Sequence, residues 1–258
     1  MKVTLITGAA SGLGNEFAKL YAKDNNNLLL VDIDETNLIA ATQEINSLYP
    51  NIKINYLVAD LSKKEELEKV FLYTKKQNYF INNLVNSAGF GDRCDFKDME
   101  INKQLLMTEV NCNAVLYFTR VFLDDMLKNN EGHIINVSSI AGFTPGPYMA
   151  TYHASKSFVL ILGESISYEL RKTNVKLLTL CPGPFLSNFV EKAHNDYTFK
   201  KIKPIKASEV AAFGYKKSLK GKSLAIVGFK NRFTILLSKF APRKMVVSTA
   251  AKTMKKDV

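Results

Sequence analysis

Val3-Thr4-Leu5-Ile6-Thr7-Gly8-Ala9-Ala10-Ser11-Gly12-Leu13-Gly14 is a short apolar run that ends in a glycine-rich turn and opens into helix-forming sequence. Strand, turn and helix in that order begin a βα unit, and the turn is where a phosphate can be cradled. Glycine lets the backbone approach a pyrophosphate, and the helix N-terminus supplies N–H groups and a partial positive charge. Gly8, Gly12 and Gly14 are spaced G-x-x-x-G-x-G, which departs from the G-x-G-x-x-G of the standard dinucleotide fingerprint. Alone, such a turn is equally a tight connection. Its place between strand and helix makes it informative.

Outward from this unit the chain keeps the same rhythm. Strands are expected near residues 3–7, 28–33, 52–58, 83–86, 133–138, 175–181 and 223–227, and helices near 13–23, 35–48, 63–77, 101–128, 150–172 and 207–219. The run Leu28-Leu29-Leu30-Val31 is apolar throughout, as in a strand covered on both faces. Alternating β and α predict an α/β fold: a Rossmann-type doubly wound parallel sheet with helices on both faces, in a single domain over residues 1–228. Residues 182–204 start with Pro and Gly and turn polar, which predicts a long loop with one or two short helices over a site. No internal repeat or low-complexity tract stands out.

The chain has 258 residues, 47% of them apolar, enough for one large core. Cys94, Cys112 and Cys181 are odd in number and widely spaced, which fits a reducing compartment without disulfides. His133, His153 and His194 have no metal-ligand spacing, so no metal is expected. No signal peptide or membrane-spanning run is visible, and the expected location is the cytoplasm. Net charge is +11, unevenly placed: −3 over residues 1–199 and +14 over residues 200–258.

Residues 229–258 read as a separate basic amphipathic extension. Phe229, Phe233, Leu236, Leu237 and Phe240 recur at helical spacing among Lys230, Arg232 and Lys239, and Pro242 breaks or kinks the helix. It packs on its own domain, on a partner subunit or on an anionic membrane surface. No nucleic-acid module accompanies the charge, so nucleic acid is not an expected partner.

Tyr152 and Lys156 lie four apart, thirteen residues after Ser139. On a helix they share one face. A fixed ammonium favours the phenolate and is expected to lower the Tyr152 pKa from its ordinary value near ~10, making the pair a proton donor and acceptor. Asp32, 18 residues beyond Gly14, closes the second strand. A carboxylate there accepts both ribose hydroxyls and repels a 2′-phosphate, or else it caps the next helix, for which Asp34 is better placed. Ser11 and Ile33 supply no base for a 2′-phosphate, which favours NAD over NADP.

Gly8/Gly12/Gly14, Asp60, Asn86-Ser87-Ala88-Gly89, Asn111, Ser139, Tyr152, Lys156 and Pro182-Gly183 stand in the order and spacing that resemble a classical short-chain dehydrogenase/reductase, over about residues 2–228. The resemblance implies an oxidoreductase that interconverts a carbonyl and a secondary alcohol, with NAD(H) preferred and NADP(H) left open. It implies that Tyr152 is the general acid/base and that Lys156 lowers its pKa and binds the nicotinamide ribose. Ser139 would hold the substrate oxygen, and Asn111 a water linking Lys156 to solvent. The cofactor would be held by Gly8, Ser11, Gly12, Leu13, Gly14, Asp32, Asp60, Leu61, Asn86, Ala88, Gly89, Tyr152, Lys156, Pro182 and Gly183. Ser87 replaces the family's usual second Asn, and Ser187 is the nearest match to its Thr after Pro-Gly.

Phe90, Ala141, Phe143, Pro147, Tyr148, Met149, Phe185, Leu186, Phe189 and Val190 suggest an apolar pocket for a small or lipophilic ketone or hydroxy substrate. Alternative readings are a membrane-peripheral reductase of a lipid or fatty-acyl substrate, docked by the basic extension, and a non-catalytic dinucleotide-sensing module. Apolar residues on the helices near 101–128 and 150–172 imply, by resemblance, a homodimer or homotetramer.

Overall fold

The computed structural model describes residues 1–186 and 205–254. Seven parallel strands form one sheet: β1 (Lys2–Thr7), β2 (Leu28–Asp32), β3 (Ile54–Val58), β4 (Phe80–Asn86), β5 (Gly132–Val137), β6 (Val175–Cys181) and β9 (Leu224–Ile226). Their order is β3-β2-β1-β4-β5-β6-β9. A two-residue parallel pair, β7 (Phe185–Leu186) with β8 (Ile205–Lys206), lies apart. The expected segment at 182–204 is thus described only at its start. Ser187, Phe189, Val190, His194 and the predicted short helices lie outside the described residues.

Side chains alternate across each strand, so the apolar runs serve two cores. Ile6, Leu28 and Leu30 pack with Phe17, Leu38 and Ile45 from α1 (Gly12–Lys23) and α2 (Glu35–Leu48), and with Val210 from α7 (Ala207–Leu219). Leu5, Leu29 and Val31 face the opposite core, with Val70 of α3 (Lys64–Lys76) and Phe118 and Phe122 of α5 (Ala114–Asn129). Fully burying such a side chain is worth roughly 1.5–3 kcal/mol. This explains why a four-residue apolar run is a strand buried on both faces.

The helix expected over 101–128 is divided. It runs as α4 (Ile101–Thr108), a π-helical turn (Glu109–Asn113) and α5. Of its apolar residues, Val115, Phe118 and Phe122 are consumed by the chain's own core, while Leu105 and Leu106 stay exposed. α6 (Ala150–Glu169) ends in a 3-10 turn at Leu170–Lys172. Beyond β9, the extension folds as α8 (Phe229–Ser238) and α9 (Arg243–Met254), with the break around Pro242 as expected.

β1 has β2 on one side and β4 on the other, so successive connections leave it in opposite directions. The crevice at this switch point, at the carboxyl ends of the strands, is where parallel α/β sheets bind ligands. All the motifs singled out above, except the extension, sit on this edge.

Candidate active site

The glycine turn is built by close approach. Gly8 adopts φ +67°, and a Cβ on it would meet Ala88 Cα at 2.8 Å. A Cβ on Gly14 would run into the carbonyl of Gly8. Thr7, at the end of β1, clasps the neighbouring loop: its Oγ1 accepts from the amides of Ser87 and Ala88, both at 3.1 Å. The exposed Ser11 begins α1 without a side-chain cap, so its hydroxyl does not satisfy the first-turn N–H groups. That leaves them for an anion.

Asp32 anchors this turn from β2. Its Oδ2 accepts from the Ala10 amide at 2.9 Å and its Oδ1 from the Asp34 amide at 3.0 Å. Asp34 is the cap of α2, accepting from the Asn37 amide at 3.1 Å. Asp60 is an oxygen cluster of its own: Ser62 donates to it from amide and hydroxyl, and Lys63 lies 3.3 Å away. Burial pushes its carboxyl up, but these bonds outweigh it and hold it below the usual carboxylate range. Leu61 buries its side chain in the core, which leaves only its backbone to line the crevice.

The sheet also claims Asn86. Its Nδ2 donates to Asn136 Oδ1 at 2.8 Å and to Thr119 Oγ1 at 3.2 Å, tying β4, β5 and α5 together inside the core. Ala88 and Gly89, by contrast, lie partly buried or exposed at the rim.

Four side chains converge past β4 and β5. Ser139, just beyond β5, accepts the Ala141 amide at 3.1 Å and shares a hydrogen bond with the Tyr152 hydroxyl. Lys156 lies one helical turn from Tyr152, its Nζ 5.9 Å from the centre of the phenol ring and donating to the Val137 carbonyl at 3.0 Å. Asn111 is fully buried in the π-helical turn. It donates to the Phe90 carbonyl at 2.8 Å and to Ser155 Oγ at 3.0 Å, and accepts from the Phe90 amide at 3.0 Å. Gly89 draws them together: a Cβ there would stand 2.8 Å from Asn111 Oδ1 and 3.2 Å from Lys156 Nζ. The extra residue of the π turn re-aims Asn111 at the Phe90 backbone.

The expected lowering of the Tyr152 pKa is not what this geometry produces. Burial pushes the phenol up to about 12, opposed only by the Ser139 bond. The ammonium lies over the ring and is spent on the Val137 carbonyl, so its field at the hydroxyl is weak. Burial also brings Lys156 down to about 8. Cys112 and Cys181 flank Lys156, and burial raises both thiols, to about 11 and about 12. All three cysteines are free. Among the described residues, no cluster of His, Cys, Asp and Glu could hold a metal ion. His153 donates from Nδ1 to the Thr144 carbonyl, 2.7 Å away, as a structural histidine.

The structure adds contacts that sequence reasoning did not supply. Tyr148 holds φ +67°, an unusual conformation for an aromatic residue, and its carbonyl accepts from the Cys94 amide at 2.9 Å, joining the loop before α6 to the loop after β4. Pro182 accepts from the Ile140 amide at 3.0 Å. Gly183 abuts α8, where a Cβ would meet Asn231 Nδ2 at 2.5 Å. Arg93 donates Nε to the Met254 carbonyl at 2.7 Å, fixing the end of α9 to the loop after β4. Tyr148, Pro182 and Gly183 carried a signal in the sequence; Arg93 carried none.

A family model described as short chain dehydrogenase matches residues 2–198. An uncharacterised oxidoreductase of Staphylococcus saprophyticus is 31% identical over 182 residues, covering 70% of this chain and 77% of that protein. The fold is shared with a short-chain dehydrogenase/reductase from Burkholderia phymatum in complex with NAD (TM-score 0.84, 24% identity, 93% of each chain). It is shared too with a short-chain dehydrogenase from Sphingobium yanoikuyae in complex with NADPH (TM-score 0.83, 23% identity, 93% and 94% covered).

Proposed function

This chain belongs to the short-chain dehydrogenase family of oxidoreductases, and from that premise we propose that it interconverts a ketone and a secondary alcohol with NAD(H), on a small or lipophilic substrate. The observation that carries the reading is the meeting of Ser139, Tyr152, Lys156 and Asn111 around Gly89.

The chain's own cradle supports a dinucleotide. A Cβ would fill the approach at Gly8, Gly14 and Gly89, and the first turn of α1 is left uncapped. Gly8, Ser11, Gly12, Leu13 and Gly14 would hold the pyrophosphate. Asp32 would hold the adenosine ribose, and Asp60 and Leu61 the adenine. Asn86 acts through the backbone it positions, next to Ala88 and Gly89. Pro182 and Gly183 flank the nicotinamide end. The bound group supplies or accepts the hydride; position and proton transfer fall to the protein.

Ser139 and Tyr152 share a hydrogen bond, so both hydroxyls address one point, where a substrate oxygen is received. With its pKa near 12, Tyr152 stands protonated at neutral pH and is ready to donate to a carbonyl oxygen under reduction. In oxidation the phenolate form of Tyr152 takes the alcohol proton, and the Ser139 hydrogen bond favours that form. With a dinucleotide bound, Lys156 would hold the nicotinamide ribose, and Asn111 would keep a water through which Lys156 exchanges its proton with solvent. Asp32, with Ser11 and Ile33 beside it, supports NAD(H); NADP(H) is the competing cofactor.

Fluorescence titration with NADH and NADPH tests the cofactor. NADH is expected to bind more tightly, and Asp32→Ala to weaken it about tenfold, roughly 1.4 kcal/mol. A preference for NADPH overturns the role of Asp32. Tyr152→Phe is expected to bind NADH normally and lose roughly 10²- to 10⁴-fold in turnover of a ketone panel. Full turnover by that variant rules out the acid/base role; NADH binding with no turnover by either protein leaves the dinucleotide-sensing reading.

A further inference from the structure

We propose that α8 and α9 form a docking surface for an anionic lipid bilayer. Phe229 and Phe240 are 81% and 80% exposed, and Phe233, Leu236 and Leu237 each more than half. At about 100° per residue Phe229, Phe233, Leu236 and Leu237 fall in one stripe of α8, which Phe240 follows two residues past the helix end, and the buried Ile235, which fastens the helix to the domain, falls nearly opposite. Lys230 borders the stripe on one side and Arg232 and Lys239 on the other. Apolar centre and basic flanks are the arrangement of a helix that lies in a membrane interface.

Charge selects the occupant. Between Phe229 and Met254 stand six basic residues and no acidic one. All six, Lys230, Arg232, Lys239, Arg243, Lys244 and Lys252, are exposed, and none pairs with a carboxylate among the described residues. A two-fold contact with a second copy would press this uncompensated positive field against itself. An anionic headgroup layer neutralises it while the stripe enters the acyl boundary. Among the described residues, no helix is long and apolar enough to span a membrane, so the contact is peripheral.

The surface borders the substrate mouth. Asn231 of α8 stands against Gly183, and the end of α9 is held by Arg93 beyond β4. Docking would set that mouth at the bilayer. The surface stands apart from the redox reading, and the two fail separately: vesicle binding needs no cofactor, and NADH binding needs no lipid.

The chain contains no Trp, so Phe240→Trp installs a single probe. Its emission is followed on adding phosphatidylglycerol–phosphatidylcholine vesicles and, separately, pure phosphatidylcholine vesicles. A blue shift is expected with the anionic vesicles only, weakening as salt rises. Adding Phe233→Glu and Leu236→Glu is expected to reduce the affinity at least about tenfold, while NADH titration shows that the domain is intact. No shift with either vesicle, or an equal shift with both, overturns the proposal. So does a shift that appears with protein concentration in the absence of lipid, which assigns the face to a second copy.

Discussion

Helices α1 and α8 are both amphipathic, and they end in opposite surroundings. α1 buries Leu13, Phe17, Ala18, Tyr21 and Ala22 against the sheet, each at 5% exposure or less. α8 buries Ile235 and leaves its phenylalanines and leucines in the open. The difference lies in what each helix follows. α1 leaves β1, an interior strand, through the tight turn between Gly8 and Gly12, which forces it back over the sheet. α8 leaves the edge strand β9 through Gly228 (φ +87°) and meets the 3-10 turn at Ile140–Phe143 and the loop at Gly183. Where an apolar stripe is buried, then, is decided by the strand it is attached to as much as by its composition.

The strongest test of this contrast is a pair of truncations. Phe17→Ala is expected to cost about 3–5 kcal/mol in urea unfolding, and Phe233→Ala within about 0.5 kcal/mol. Comparable losses would break the contrast and mean that α8 is integral to the core. A glycine pair sharpens it. Gly14→Ala places a methyl against the Gly8 carbonyl and is expected to cost about 1–3 kcal/mol and weaken NADH binding, although alanine ordinarily favours a helix. Gly221→Ala, whose nearest neighbour would be 3.6 Å away, is expected to cost only the strain of its φ of +61°, about 1 kcal/mol, with NADH binding unchanged.

A smaller effect separates buried from exposed charge. Burial lowers Lys156 to about 8 in the folded protein, below its unfolded value near ~10.4. Between those values the unfolded chain binds more protons, so the wild-type protein gains stability as pH rises through the window. Below it the cost of the buried ammonium is fully present. Lys156→Met is therefore expected to have the higher Tm at pH 7, with the gap narrowing above pH 8. A gap independent of pH would mean that the Lys156 ammonium is well solvated.

Much of the edge that carries the site was legible along the chain. The positions of Gly8, Asp34, Ser139, Tyr152 and Lys156 follow from local rules: glycine where backbone approaches backbone, a cap after a strand, two residues one helical turn apart. Asn86 and Leu61 were readable as motif members but not as buried side chains, because their neighbours Thr119, Asn136 and the core come from distant segments.

The sequence by itself determined the parallel α/β architecture, the glycine turn and the spacing of Ser139, Tyr152 and Lys156, because each rests on periodicities of two and 3.6 and on interactions within a few residues. Only the tertiary structure decided the protonation of that group, the inward turn of Asn111 and the exposure of α8. These depend on burial and on partners far away in the chain, and the desolvation that raises Tyr152 and lowers Lys156 exists only once the crevice has closed around them.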